Sequence, residues 1–146
     1  MADVIVYRKR RGVEAFMLVF ALAIALGGYF LTHLNQEGHL PGGWPWAAAI
    51  GVVLVGGAHA VVRWRIPYAD PLILPLVVLL NGLGLAMIHR LDLGTDPVMH
   101  SAELQLTWTA VAVLAFAATV FLLKDYRVLH AFPYLAFLVG LGVLLL

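Results

Sequence analysis

The stretch RKRRGVEAFMLVFALAIALGGYFL, residues 8–31, contains the two features that decide the fold, a block of four basic residues and the apolar run 15–31. At about 1.5 Å of rise per residue, this run would extend about 26 Å as a helix, close to the roughly 30 Å hydrocarbon core of a bilayer. It does not alternate between polar and apolar residues, as a lipid-facing β-strand would. The stretch therefore predicts a helix that crosses a membrane beside a basic flank.

The composition extends this prediction to the whole chain. Hydrophobic residues make up 63% of the 146 positions and charged residues 12%, and the mean hydropathy is +0.96. Soluble domains average about 45–50% apolar residues and about 25% charged residues. A globular protein of this length would therefore have too small an interior to bury the apolar surface of this chain. We predict an all-α, polytopic transmembrane helical bundle of five spans, at residues 15–31, 44–62, 71–88, 106–123 and 128–146.

The basic residues predict how these spans are oriented. Eight of the nine Lys and Arg residues fall on the same side of a five-span zigzag, and only Arg90 falls on the other side. Cytoplasmic flanks carry the excess of basic residues in membrane proteins. We expect a multi-pass protein of the plasma membrane, with a basic cytoplasmic N-terminus at 1–12 and a transmembrane segment at 13–146. The eight residues are Arg8, Lys9, Arg10, Arg11, Arg63, Arg65, Lys124 and Arg127.

The end of the fifth span differs from the ends of the other four. It reaches Leu146 without a polar cap or an aromatic or basic anchor. Other spans are flanked by charged or turn-forming residues, which hold helix ends at the membrane surface. We therefore expect the chain to be the front part of a longer protein.

Several function classes are excluded by what the sequence lacks. It has no cysteine, so it offers no thiolate metal site, and its formal net charge of +1 argues against nucleic-acid binding. No phosphate loop, nucleotide motif or Ser/His/Asp constellation occurs, and we expect no cofactor.

A metal site is also not expected in the loop that follows the third span. His89 with Asp92, and His100 with Glu103, each place a nitrogen and an oxygen three residues apart. Neither pair has a third ligand close by, as a structural zinc site needs. We expect Arg90 to pair with Asp92 at the membrane surface instead.

Two ionisable residues, each close to a basic end of a predicted span, have two interpretations. Glu14 lies beside the basic block, and His59 lies three residues before the end of the second span. Both are expected at the membrane interface, where they keep their water, together with Arg63, Asp92, Lys124 and Arg127. The alternative is a proton-binding role, which for Glu14 would be that of a small proton-coupled exporter.

Asn81 falls near the middle of the third span, where an amide needs a partner inside the bundle. Gly82 follows it and removes side-chain bulk. This pattern predicts a helix contact joined by an amide hydrogen bond, or alternatively the wall of a cavity or a locally unwound segment. Glycines in the other spans fit the same close-packing role, at positions 27, 28, 51, 56, 57, 140 and 142.

Four stretches of the sequence resemble a known family. These are RWRIPYADP at 63–71 and LLNGLGLAMIHRLD at 79–92, together with QLTW at 105–108 and KDYRVL at 124–129. They are similar to the front of FtsW/RodA proteins, the SEDS (shape, elongation, division and sporulation) family, in the branch with two extra helices ahead of the common core. The last two match the start and the end of the second core helix of that family.

This resemblance implies a glycosyltransferase that polymerises the lipid-linked peptidoglycan precursor outside the membrane, beside a class B penicillin-binding transpeptidase. The family's catalytic aspartate lies in a large external loop after further spans, and no residue here matches it. The chain is therefore expected to be inactive alone. Asn81 and Arg90 are its candidate substrate-binding residues, and the lipid bilayer is its surroundings.

Two other functions stay open from the sequence. One is a small membrane scaffold or partner subunit of the cell-wall machinery. The other is the proton-coupled exporter that would use Glu14.

Overall fold

A computed structural model describes residues 11–95, 100–122 and 133–144 of the chain, and all regular structure there is helical. The helices are α1 (Arg11–Glu37), α2 (Trp44–Arg65), α3 (Ile73–Leu93), α4 (Ser101–Leu122) and α5 (Pro133–Leu144). The first four are long and apolar enough to cross a membrane, whereas α5 is a shorter apolar helix of 12 residues. The prediction of an all-α, polytopic helical bundle is confirmed.

The helices begin and end differently from the predicted spans. α1 continues through His33 to Glu37, and α3 continues through Arg90 to Leu93. The predicted spans end at the first polar residue because they mark the hydrocarbon core, whereas a helix can continue into the headgroup layer. The predicted fifth span, 128–146, lies partly outside the described residues.

Local sequence signals explain how α1 gives way to α2. Gly38 and Gly43 adopt positive φ angles of 73° and 78°, which glycine reaches without the steric cost of a Cβ. Pro45 stands in the first turn of α2, where its missing N–H leaves no hydrogen bond unmade. The connection between the two helices is therefore short and sharply bent.

The first four helices form a closed ring in the order α1, α3, α4, α2, each packed against the next. The most extensive contact joins α1 and α3, which are parallel because the connection between them crosses the bundle through α2. This pairing brings the carboxyl-terminal ends of α1 and α3 together. Two of the four interhelical hydrogen bonds described below lie at that end.

Small side chains make the contact between α1 and α3 close. Ala21, Ala25 and Ala86 are buried, and a Cβ added to Gly82 would overlap Ala25. Membrane helices associate through such small residues, which let backbones approach and gain van der Waals contact. The close-packing role predicted for glycine is thus seen at Gly82. In contrast, Gly56 and Gly57 have open space beside them.

Large apolar side chains cover the outside of the described bundle. Phe16 is 74% exposed, Trp46 76% and Leu122 79%, and no large side chain of the described residues is fully buried. A soluble protein seldom exposes contiguous apolar surface of this extent. This arrangement is the one expected of helices whose solvent is lipid.

Candidate functional site

Glu14 and His59 form a polar pair between α1 and α2, in which Glu14 is buried and His59 is half-buried. The Glu14 Oε1 and His59 Nδ1 atoms lie 3.0 Å apart, and the two side chains are 11% and 19% exposed. The imidazole nitrogen therefore donates to the carboxylate, a charge-assisted bond that shields both groups from lipid. Glu14 thus has a partner on a neighbouring helix, a contact that their separation along the sequence did not reveal.

Asn81 faces α4. Its Oδ1 atom lies 3.3 Å from the hydroxyl oxygen of Thr109, which also lies 2.8 Å from the carbonyl oxygen of Gln105. The single hydroxyl hydrogen donates mainly to the nearer oxygen and in part to Asn81. The amide is half-buried at this contact between α3 and α4, next to the close approach of Gly82 to α1.

Two histidines and a tyrosine meet near the carboxyl-terminal ends of α1 and α3, and we call Tyr29, His33 and His89 the histidine cluster. His33 Nδ1 lies 3.0 Å from His89 Nε2, and the two rings are nearly parallel at 14°. Tyr29 stacks on His89 with ring centroids 4.2 Å apart. One proton can lie between the facing nitrogens, so the pair joins the helices by a single hydrogen bond.

The other nitrogen of His33, Nε2, is buried and has no hydrogen-bond partner among the described residues. His33 lies beyond the predicted first span, which ends at Leu31, so no contact was predicted for it. Its position one α-helical period after Tyr29, on the same helix face as Ala25, was the available signal.

Asp92 is 5% exposed and joins α3 to α4. Its Oδ2 atom accepts a hydrogen bond of 2.7 Å from the backbone N–H of Ala102, in the first turn of α4. A carboxylate in this position accepts a hydrogen bond from a backbone N–H that has no partner within the helix. Its negative charge also interacts favourably with the positive end of the helix dipole. The expected pair between Arg90 and Asp92 is wrong, since neither described ion pair of the protein includes them.

Arg90 instead lines an open cleft of about 460 Å³ between α1 and α3, which we call the amide cleft. Arg90 is exposed, and no described hydrogen bond or ion pair occupies its guanidinium group. The residues that line the amide cleft are Leu31, Thr32, Asn35, Gln36 and Arg90.

Other residues that the sequence singled out lie outside the amide cleft or outside the described residues. Arg63 is exposed in the last turn of α2, whereas Lys124 and Arg127 lie outside the described residues. His100 and Glu103 approach to 3.6 Å on the surface of α4. Within the described ranges no group of three or more His, Asp or Glu residues is placed to hold a metal ion.

Comparison with known proteins gives one consistent result. The peptidoglycan glycosyltransferase RodA of Mycobacterium bovis (strain ATCC BAA-935 / AF2122/97) and that of Mycobacterium tuberculosis (strain ATCC 25618 / H37Rv) are each 42% identical to this chain over 136 residues. The chain is similar to a portion of RodA. RodA of Mycobacterium leprae (strain TN) is 42% identical over 139 residues.

Each RodA match covers 90% of this chain and 29% of the relative. The resemblance to the FtsW/RodA family is therefore confirmed for a portion of such a protein. Together with the four apolar helices, the similarity to RodA makes this a multi-pass protein of the plasma membrane. No protein-family model and no solved structure matches the chain.

Proposed function

We propose that this chain is a portion of a SEDS-type peptidoglycan glycosyltransferase, which polymerises lipid-linked cell-wall precursor in cell division or elongation. The observation that carries the proposal is the 42% identity to RodA over 90% of the chain. The helical bundle supports it, because an enzyme that acts on a lipid-linked substrate needs a scaffold within the bilayer.

In this proposal the chain contributes part of the enzyme's scaffold and two residues that contact the substrate. The close contact between α1 and α3 holds these two helices of the bundle together. From α3, Asn81 faces α4 and Arg90 lines the amide cleft. Asn81 and Arg90 are the residues proposed to contact the precursor. The general base that would activate the acceptor hydroxyl comes from a part of the enzyme that this chain does not match.

Orientation and partner belong to the same proposal. The basic N-terminus, residues 1–12, lies in the cytoplasm, and the transmembrane segment occupies residues 13–146. Eight of the nine Lys and Arg residues support this orientation. The carboxyl-terminal ends of α1 and α3 then face outward, and a class B penicillin-binding transpeptidase acts beside the assembled enzyme.

A chimera tests the proposal. The portion of Mycobacterium tuberculosis RodA that matches this chain is replaced by this chain, and the purified chimera is given lipid-linked disaccharide. Glycan strands on a gel are expected from the chimera and not from the chain alone. A well-folded chimera that makes no polymer contradicts the proposed enzyme, and if it still binds the transpeptidase it favours the scaffold alternative. Polymer made by the chain alone contradicts the proposal that the general base lies in another part of the enzyme.

A further inference from the structure

We propose that the amide cleft is a binding site for the headgroup of an anionic, phosphate-bearing lipid. The proposal rests on the proposed function in one respect, since Arg90 is also its candidate contact for the lipid-linked precursor. Its own support is the set of hydrogen-bond donors that the fold leaves free beside an apolar surface. Three independent features of the cleft support it.

The first feature is the state of Thr32. Four other threonines lie in the described residues, and each donates its hydroxyl to a backbone carbonyl, namely Thr95, Thr107, Thr109 and Thr119. A threonine in a membrane helix ordinarily bonds to the carbonyl of the preceding turn, because lipid offers no alternative. Thr32, half-buried in the cleft, has no such bond among the described contacts. Its hydroxyl is available to a ligand.

The second feature is an uncompensated positive charge. Asp92 lies two residues beyond Arg90 on α3, but its carboxylate accepts from the backbone of Ala102 and is buried. Arg90 therefore keeps its full charge toward the cleft. A guanidinium group presents paired N–H donors that match two oxygens of a phosphate. The side-chain amides of Asn35 and Gln36 add neutral donors on the facing helix.

The third feature is the neighbouring apolar surface. Leu31 lines the same cleft and is 66% exposed, at the level where α1 leaves its apolar run. A lipid places acyl chains against such a surface and its headgroup against the polar groups one turn further. A soluble phosphate would contact the polar groups of the cleft but not the neighbouring apolar surface. The volume of about 460 Å³ is in the usual range for a small-molecule site.

Native mass spectrometry of the full chain in detergent micelles tests the site. The chain is incubated with phosphatidylglycerol, or with a galactosyl diacylglycerol that lacks phosphate. Retention of phosphatidylglycerol is expected to fall about tenfold or more in Arg90→Gln, because a charge-assisted bond is lost. Smaller losses are expected in Thr32→Val and Asn35→Ala. Arg63→Gln is the matched control, since it removes an equal charge at the opposite end and should change retention little.

The outcomes separate the possible ligands. Equal losses in Arg90→Gln and Arg63→Gln overturn the proposal, because attraction to charge alone then explains retention. Equal retention of the galactolipid, or displacement by inorganic phosphate, overturns it as well. A competition between equimolar phosphatidylglycerol and a polyprenyl pyrophosphate identifies the source, and preference for either one supports a lipid headgroup site. Circular dichroism of each variant confirms that its helices are retained.

Discussion

Gly82 of α3 packs directly on Ala25 of α1, and a Cβ placed on Gly82 would overlap the Ala25 side chain and approach its Cα to 3.1 Å. The obstacle is partly backbone, so the helices must separate to make room. We expect Gly82→Ala to reduce the free energy of unfolding by about 1–3 kcal/mol, a typical effect of overpacking. Unfolding in mixed micelles, followed by circular dichroism, measures this change.

Gly84→Ala is the control for that substitution. Gly84 lies in the same helix with nothing within 4 Å of an added Cβ. Alanine favours a helix over glycine by about 1 kcal/mol, so stability should be unchanged or higher. If the two variants were equally destabilised, the contact between α1 and α3 would not be the cause.

The pair of Glu14 and His59 should stabilise the contact between α1 and α2. We expect Glu14→Ala and His59→Ala each to reduce the free energy of unfolding by about 1–3 kcal/mol, since each leaves a buried polar group without its partner. The double variant should lose less than the sum of the two. Glu14→Gln, which keeps an acceptor oxygen, should lose less than Glu14→Ala. Strictly additive losses would show that the two residues do not interact.

The same substitution separates the proposed enzyme from the exporter. Cells that express Glu14→Gln should show the same drug resistance and the same proton-coupled efflux as cells that express the unaltered chain. Efflux that disappears in Glu14→Gln would favour the exporter instead.

Asn81 should couple α3 to α4 through Thr109. Interhelical hydrogen bonds of this kind contribute about 0.6 kcal/mol on average in a membrane protein. A double-mutant cycle of Asn81→Leu and Thr109→Val is expected to give a coupling energy near that value, because the Thr109 hydroxyl also bonds to Gln105. Thr119→Val is a control, since Thr119 bonds only within its own helix among the described contacts. A coupling energy of zero would show that Asn81 and Thr109 do not interact.

Reporter fusions test the proposed orientation. A phosphatase that works only outside the cytoplasm should be active when it is fused after Asp96 and inactive when it is fused after Asp125. The distribution of Lys and Arg, eight against one, motivates this expectation. The reverse pattern of activity would mean that the N-terminus lies outside.

The sequence predicted the helical class well because a long apolar run has few other structures available to it in lipid. It did not predict which helices are neighbours. The contacts of Glu14 with His59 and of His33 with His89 join residues 45 and 56 positions apart, and no local pattern encodes them. The expected pair of Arg90 and Asp92 was wrong for a related reason. Asp92 bonds to the start of α4, a tertiary contact that the short spacing between the two residues concealed.

Lipid as the solvent of the helix faces is the central claim, and the absence of cysteine permits a direct test by single cysteine substitutions. Val53, Leu80 and Leu114 lie within α2, α3 and α4 and are 70%, 68% and 69% exposed in the bundle. Cysteines at these positions should resist a water-soluble maleimide in vesicles, whereas a cysteine at Gly42, between α1 and α2, should react. Equal reaction at all four positions, in a chain that stays monodisperse without detergent, would contradict the account.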